Sequence, residues 1–180
     1  SIPTTDSTAT LQTVKQAWQE GALGIASNPV PGFGTIITSN LSGWAAAGFD
    51  AYSYGGASMK SYNARTKVFD AVIDAASSIS NKKGYYLFVR GDRTSLPSNT
   101  NNTSTVLRTR GMLKTGVQTI AMADTGFNSV GNPYASQIDF KLVTKSNVQN
   151  IFYLWDPRLT GSYGLGTYVT CTVNSVTQDR

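Results

Sequence analysis

Residues 126–157, GFNSVGNPYASQIDFKLVTKSNVQNIFYLWDP, decide how the chain is read. Phe127 to Val130 is expected as a strand, and Gly131-Asn132-Pro133-Tyr134 as a tight corner after it. The glycine can take a positive φ. The proline fixes its own φ and has no N–H for a ladder, so the chain must leave the sheet there. A short helix or loop then leads to a second strand, Ile151 to Trp155, stopped by Asp156-Pro157. Gly131, Asn132, Pro133, Trp155 and Asp156 are therefore scaffold residues in this reading, not reactive groups.

A looser copy of the second half of this stretch lies earlier. Met59-Lys60-Ser61-Tyr62-Asn63 is followed by a turn around Arg65-Thr66, an aromatic at Phe69, and Gly84-Tyr85-Tyr86-Leu87-Phe88-Val89. In the later copy Phe152 to Asp156 is followed by a turn around Thr160-Gly161, Tyr163, and Gly166 to Thr170. Both copies run strand, turn, glycine-started strand. This suggests an internal two-fold repeat, although hairpins with aromatic ends converge easily.

The length, 180 residues, suits one domain spanning 1–180 with a core that needs no disulfide. Charged residues make up only 14% against a usual quarter or so, while Ser, Thr, Asn and Gly abound. That polar, weakly charged surface fits an extracellular β-rich protein. Cys171, the single cysteine, has no internal partner, and within the alternating run Tyr168 to Val173 it is expected to be a buried, inert thiol. The net charge of +5 invites a nucleic-acid reading. Its fifteen basic residues are scattered, however, with only Lys82-Lys83 and Arg108-Thr109-Arg110 clustered, and no nucleic-acid partner is expected. No apolar run approaches a membrane span. The opening Ser1-Ile2-Pro3, without an initiator Met or a signal peptide, suggests an excised piece or mature fragment of a longer protein.

Along the chain, Leu11, Val14 and Trp18 share a helical face, predicting one helix over Thr10 to Glu20, capped by Thr8 or Thr10, ended by Gly21, with Trp18 anchored in the core. Ala22 to Gly56 reads as a long structured loop holding one strand, Thr35 to Thr38. Loops carry binding, and Trp44, Phe49, Tyr52 and Tyr54 with Asp50 form an aromatic group that could stack on sugar rings while the carboxylate accepts hydroxyl hydrogens, or that could close a hydrophobic satellite cluster under the loop. Tyr85 to Val89 is expected in the middle of a sheet. It runs into Arg90-Gly91-Asp92, an RGD tripeptide that abuts a buried strand; a local turn is expected there, with Arg90 and Asp92 paired, and no integrin partner. Asn101 and Asn102 each open a glycosylation sequon in a polar tip. Thr105 to Arg110 and Val117 to Ala121 should form a hairpin about Lys114-Thr115-Gly116, and Thr167 to Val173 the closing strand.

The chemistry is bounded by what is missing. With no histidine, the Ser-His-Asp and Cys-His nucleophile systems and every His-ligated metal site are excluded; with one cysteine, so is a thiolate zinc site. Glu20 is the only glutamate, and a two-carboxylate glycosidase would need two of nine aspartates that sit in no catalytic motif. No nucleotide-binding glycine pattern is present. No catalytic residue, metal or cofactor is expected; calcium on carbonyls and Asp50, Asp92 or Asp156 is the one cation the composition would allow.

The segments TLQTVKQAWQEGA, NPVPGFGT, GFDAYSYGGASMKSYN, GYYLFVRGDRT, TVLRTRGMLKTG, GFNSVGNPYASQIDF and FYLWDPRLTGSYGLGTYVT together resemble a β-rich domain from the C-terminal region of very large Bacteroidetes surface proteins exported by the type IX secretion system. The resemblance covers nearly the whole chain. It implies a β-sandwich-like, non-catalytic module displayed at the cell surface, with a sorting domain after Arg180. It also implies that FVRGDRT is a family segment and that Asp6-Ser7-Thr8 is a short O-glycosylation site. The expectation is thus an all-β, two-sheet sandwich or jelly-roll-like domain with one short N-terminal helix. It would serve as an accessory or adhesion module of a secreted cell-surface protein, its partners extracellular polysaccharide or other domains of the same protein. The alternative is a dedicated carbohydrate-binding module using Trp44, Asp50, Tyr52 and Tyr54.

Overall fold

Strand β1 (Met59–Asn63) alternates buried and half-exposed side chains, the period of a sheet with one face on a core. The computed structural model describes residues 12–20, 31–50, 56–79, 82–93, 103–109, 113–123, 126–164 and 166–172. Its architecture is small and β-rich: two antiparallel sheets, one short helix and two 3-10 turns among the described residues. The chain divides into two compact units, Ser1–Gln137 and Ile138–Arg180.

In the first unit β1 is the central strand, flanked by β2 (Val68–Ala71) and β3 (Tyr85–Leu87) in the order β2-β1-β3. The register places Tyr62 opposite Phe69 and Lys60 opposite both Ala71 and Tyr86. The β1–β2 turn is set by Asn63, whose side-chain oxygen accepts from the Arg65 and Thr66 N–H groups at 3.0 and 3.3 Å. Tyr85 to Val89 was expected mid-sheet, but β3 is an edge strand, and Phe88 and Val89 beyond it are exposed. A continuous apolar run of this length does not distinguish a central strand from an edge strand whose one face is covered.

The core lies between the inner face of this sheet and the segments on either side of it. Val14, Ala17, Trp18, Ile37, Phe49, Met59, Ala75 and Ile79 form one buried cluster. Helix α1 (Val14–Ala17) is one turn long, not the eleven residues the periodicity suggested. A capping box starts it: Thr13 Oγ1 accepts from the Gln16 N–H at 3.1 Å, and Gln16 Oε1 from the Thr13 N–H at 3.0 Å. Trp18 closes it, buried as expected and edge-on to Tyr85 at 6.4 Å.

The segment 34–38 is wholly buried, yet it joins neither sheet. Individual bonds hold it instead: the Thr35 N–H donates to Trp18 O at 2.8 Å, and Thr38 bridges Asp50 in parallel. The expected strand at Phe127 to Val130 is reduced to a bridge between Val130 and Lys83, and the hairpin about Gly116 does not form strands among the described residues. Val106 instead bridges Phe33, a partner over seventy positions away that local pattern cannot reveal. The Gly131 corner is present: Asn132 Oδ1 accepts from the Tyr134 N–H at 3.0 Å, its amide donates to Ser136 O at 2.7 Å, and Pro133 is buried.

The second unit is a hairpin of β4 (Ile151–Asp156) and β5 (Thr167–Thr172), paired from Ile151↔Thr172 to Asp156↔Thr167. β4 runs one residue past the expected end at Trp155, to Asp156, whose carboxylate takes the Arg158 N–H at 2.9 Å as the chain turns through Pro157. The side-chain hydrogen bond to Asp156 raises the Arg158 guanidinium above its ordinary range. Gly166 has φ +98 and packs so close to the Asp156 carbonyl and Pro157 that a Cβ would stand 2.7 Å from each. A 3-10 turn, Phe140–Leu142, sets Phe140 against Phe152 at 4.5 Å. Cys171 lies in the alternating strand as expected, but half-exposed rather than buried. The two supposed repeats share the antiparallel pairing of strand and glycine-started strand, β1 with β3 and β4 with β5. They differ in that β2 intervenes only in the first.

Candidate ligand-binding face

The outer face of the three-stranded sheet carries Lys60, Tyr62, Phe69 and Tyr86 by the pleat and the register. Phe69 contacts Tyr62 edge-on, centroids 5.3 Å apart, and reaches over β1 to Tyr86 at 6.4 Å. The three rings thus form one connected patch. Phe69 is 44% exposed and Tyr86 45%, while the opposite face of the same strands is sealed by Met59, Tyr85 and Leu87 against the core. Rings that meet at 62–64° present both faces and edges to solvent. The patch also holds two phenols and one ammonium, all competent to hydrogen-bond a hydroxyl-rich ligand.

β4 and β5 show a second aromatic face. Tyr153, Trp155 and Tyr168 fall on one side of the hairpin, Trp155 and Tyr168 in edge contact at 5.0 Å, and all three are exposed. Every apolar residue buried among the described residues lies in the first unit; behind this hairpin the described packing is Phe140 against half-buried Phe152. A two-stranded hairpin alone is marginally stable in water. Among the described residues, the first face is the one carried by a sheet packed on a buried core.

The residues expected to bind sugar are placed otherwise. Trp44 is half-buried in the turn 42–48 and packs against the core. Tyr52 and Tyr54 lie outside the described residues. Asp50 is engaged by the protein itself: Oδ1 receives Arg93 at 2.6 Å, and Oδ2 receives the Ile37 N–H and the Gln19 amide, each at 3.0 Å. Both carboxylate oxygens are therefore committed to joining α1, segment 37–50 and Arg93.

Arg90-Gly91-Asp92 is likewise structural. Asp92 is 5% exposed and its Oδ2 accepts from the Gly32 N–H at 2.7 Å, a distant backbone partner where the sequence suggested a local pair with Arg90. The Arg90 guanidinium lies over Phe88 at 4.7 Å. Gly91, with φ +91, passes so near Thr103 that a Cβ would be 2.8 Å from its backbone nitrogen.

The remaining described carboxylates follow the same rule. Glu20 forms a two-pronged pair with Arg108 at 2.7 and 3.2 Å. That hydrogen bond raises the Arg108 guanidinium above the usual arginine range, outweighing partial desolvation, so the arginine's share of the pair persists below that range and is lost only as pH rises through it. Asp70 accepts from Asn63, Asp74 from the Ala76 N–H, and Asp139 from the Lys141 N–H. No three His, Cys, Asp or Glu side chains converge on a metal position among the described residues, and Asp50, Asp92 and Asp156 hold protein partners instead. No described helix is long and apolar enough to cross a membrane.

Sequence reasoning passed over the Tyr62, Phe69 and Tyr86 patch. The signal was the alternation in Lys60-Ser61-Tyr62, which puts the lysine and the tyrosine on one face. What could not be read was which of Tyr85 and Tyr86 would join them. No family model, curated protein or solved structure was found to match the chain.

Proposed function

We propose that the protein is a non-catalytic adhesion module of a secreted surface protein that holds polysaccharide on the outer face of its three-stranded sheet. The observation that carries the reading is the connected patch of half-buried Tyr62 with exposed Phe69 and Tyr86, on a sheet whose other face is fixed to the core. Large apolar rings left in water on a rigid support cost free energy that a ligand can recover. The electron-rich ring faces suit the C–H surface of a pyranose, and the phenols and Lys60 suit its hydroxyls. The absence of histidine and the engagement of each described carboxylate in a bond within the protein support a role without bond-making chemistry. The β-sandwich architecture expected from the sequence belongs to the same reading, supported by the antiparallel pairing in both sheets. Surface display belongs to it too, supported by the weakly charged, hydroxyl-rich composition.

A glycan array probed with the 180-residue chain tests this. Binding to extended polysaccharides, reduced by Phe69→Ala and by Tyr86→Ala, is the expected result. A blank array, or binding indifferent to both substitutions, refutes it.

A further inference from the structure

A groove of about 310 Å³ runs alongside the start of β3 in the first unit. Its lining includes Lys82, Lys83, Thr119, Met122, Asn128 and Ser129, and no carboxylate takes part among the described residues. Two elements build it. Lys83 bridges Val130 in antiparallel fashion, the Gly84 N–H donates to Ser129 O and the Gly131 N–H to Lys82 O, so residues 82–84 and 129–131 form one wall. Lys82 Nζ reaches Thr119 O at 2.9 Å and ties that wall to segment 119–122. Backbone pairing holds the first wall and the Lys82 side chain joins it to the second, while the Lys83 residue is exposed with its ammonium 6.0 Å from the Tyr85 ring. Such a volume is at the small end for ligand sites and admits one sugar unit or its substituent.

We infer that this groove takes the acidic group, carboxylate or sulfate, of an anionic polysaccharide. The inference rests on the proposed polysaccharide reading and names the class of its ligand. Charge decides the class: Lys82 and Lys83 both contribute to the lining, no carboxylate does among the described residues, and the whole chain is at +5. The hydroxyls of Thr119 and Ser129 supply hydrogen-bonding groups of the kind that orient a charged substituent, while Met122 and Val130 give an apolar wall for the ring that bears it. A nucleic acid offers the same charge, but the groove's lining includes no aromatic ring on which a base could stack.

Retention of the 180-residue chain is measured in gels carrying alginate, dextran sulfate, neutral dextran, or a single-stranded oligonucleotide at matched charge. Alginate or dextran sulfate should retain the chain more than dextran does, and which of the two retains it more identifies carboxylate or sulfate. Lys82→Gln/Lys83→Gln should weaken the acidic polymers about tenfold, the worth of one charge-assisted hydrogen bond, and leave dextran unchanged. Lys83→Gln alone, which keeps the Lys82 tie to Thr119, should show part of that loss. Oligonucleotide retention equal to alginate, or acidic-polymer retention indifferent to both variants, overturns the inference. Retention by dextran alone overturns it and leaves the aromatic face standing. Acidic retention lost with the lysines but kept in Phe69→Ala/Tyr86→Ala sustains it and removes the aromatic face.

Discussion

Replacing Asp50 with alanine separates a structural carboxylate from a sugar-binding one. The side chains of Asp50 and Arg93 are only 17% and 13% exposed, and their contact is 2.6 Å. Removing the carboxylate leaves the guanidinium largely buried without this counter-charge, though Arg93 keeps its bond to Gln19 O at 3.0 Å. It also strips the acceptor from the Ile37 N–H, in a residue with no exposed surface. The Gln19 amide keeps Gly48 O at 3.3 Å and suffers least. Breaking one side of a buried pair costs about 3–5 kcal/mol and orphaning one buried N–H about 1–3, two figures that overlap because both describe desolvated groups losing one partner. Partial solvent access lowers the first, so the expected loss is about 4 kcal/mol, a large share of a stability of about 5–15. The assay is urea unfolding of the 180-residue chain followed by tryptophan fluorescence, with Trp18 and Trp44 reporting on the first unit. Asp50→Ala/Arg93→Ala should cost clearly less than the sum of the two single losses, since it removes both charges. A loss under about 1 kcal/mol for Asp50→Ala, or strict additivity in the cycle, would show that the network does not hold the fold.

Other substitutions probe separate parts of the account. Gly91→Ala combines a positive φ with backbone contact at Thr103 and should destabilise by about 2 kcal/mol or more in the same unfolding assay, without changing ligand retention. Met59→Ala, at 1% exposure between sheet and core, should cost about 2–5 kcal/mol, the upper end if the site cannot collapse. Thr13→Ala removes the capping box and should cost about 1 kcal/mol, with Thr13→Asn close to wild type. Because Asp92 is buried on Gly32, the folded chain should not compete with an RGD peptide for integrin in a cell-attachment assay, whereas heat-unfolded chain should compete.

What was legible in the sequence was local. Asp156-Pro157 stopped a strand where the structure stops it, Asn132-Pro133 turned the chain, and Trp18 went to the core. Each of these follows from a residue's own backbone chemistry or from periodicity over a single turn. What escaped was non-local. Thr10 to Glu20 has helical spacing, but the Lys15 N–H donates to Ala75 O and the Thr35 N–H to Trp18 O, so tertiary bonds to irregular segments take over where the helix would continue. The run after Thr105 has strand composition, yet among the described residues Val106 finds a single bridge, to Phe33. The candidate site failed for the same reason. Asp50 among aromatics looks like a ligand contact until Arg93, forty-three positions on, is seen to claim it, and Phe69 and Tyr86 meet only because β2 and β3 flank the same strand.

The central claim is that Phe69 and Tyr86, with half-buried Tyr62 between them, are exposed for binding rather than for folding. Affinity electrophoresis of wild type and Phe69→Ala/Tyr86→Ala through polysaccharide-loaded gels, with thermal unfolding of the same samples, tests it most directly. The account predicts that retardation disappears while the melting temperature stays within a few degrees. Retardation that survives the double substitution, or that vanishes only because the variant has unfolded, contradicts it.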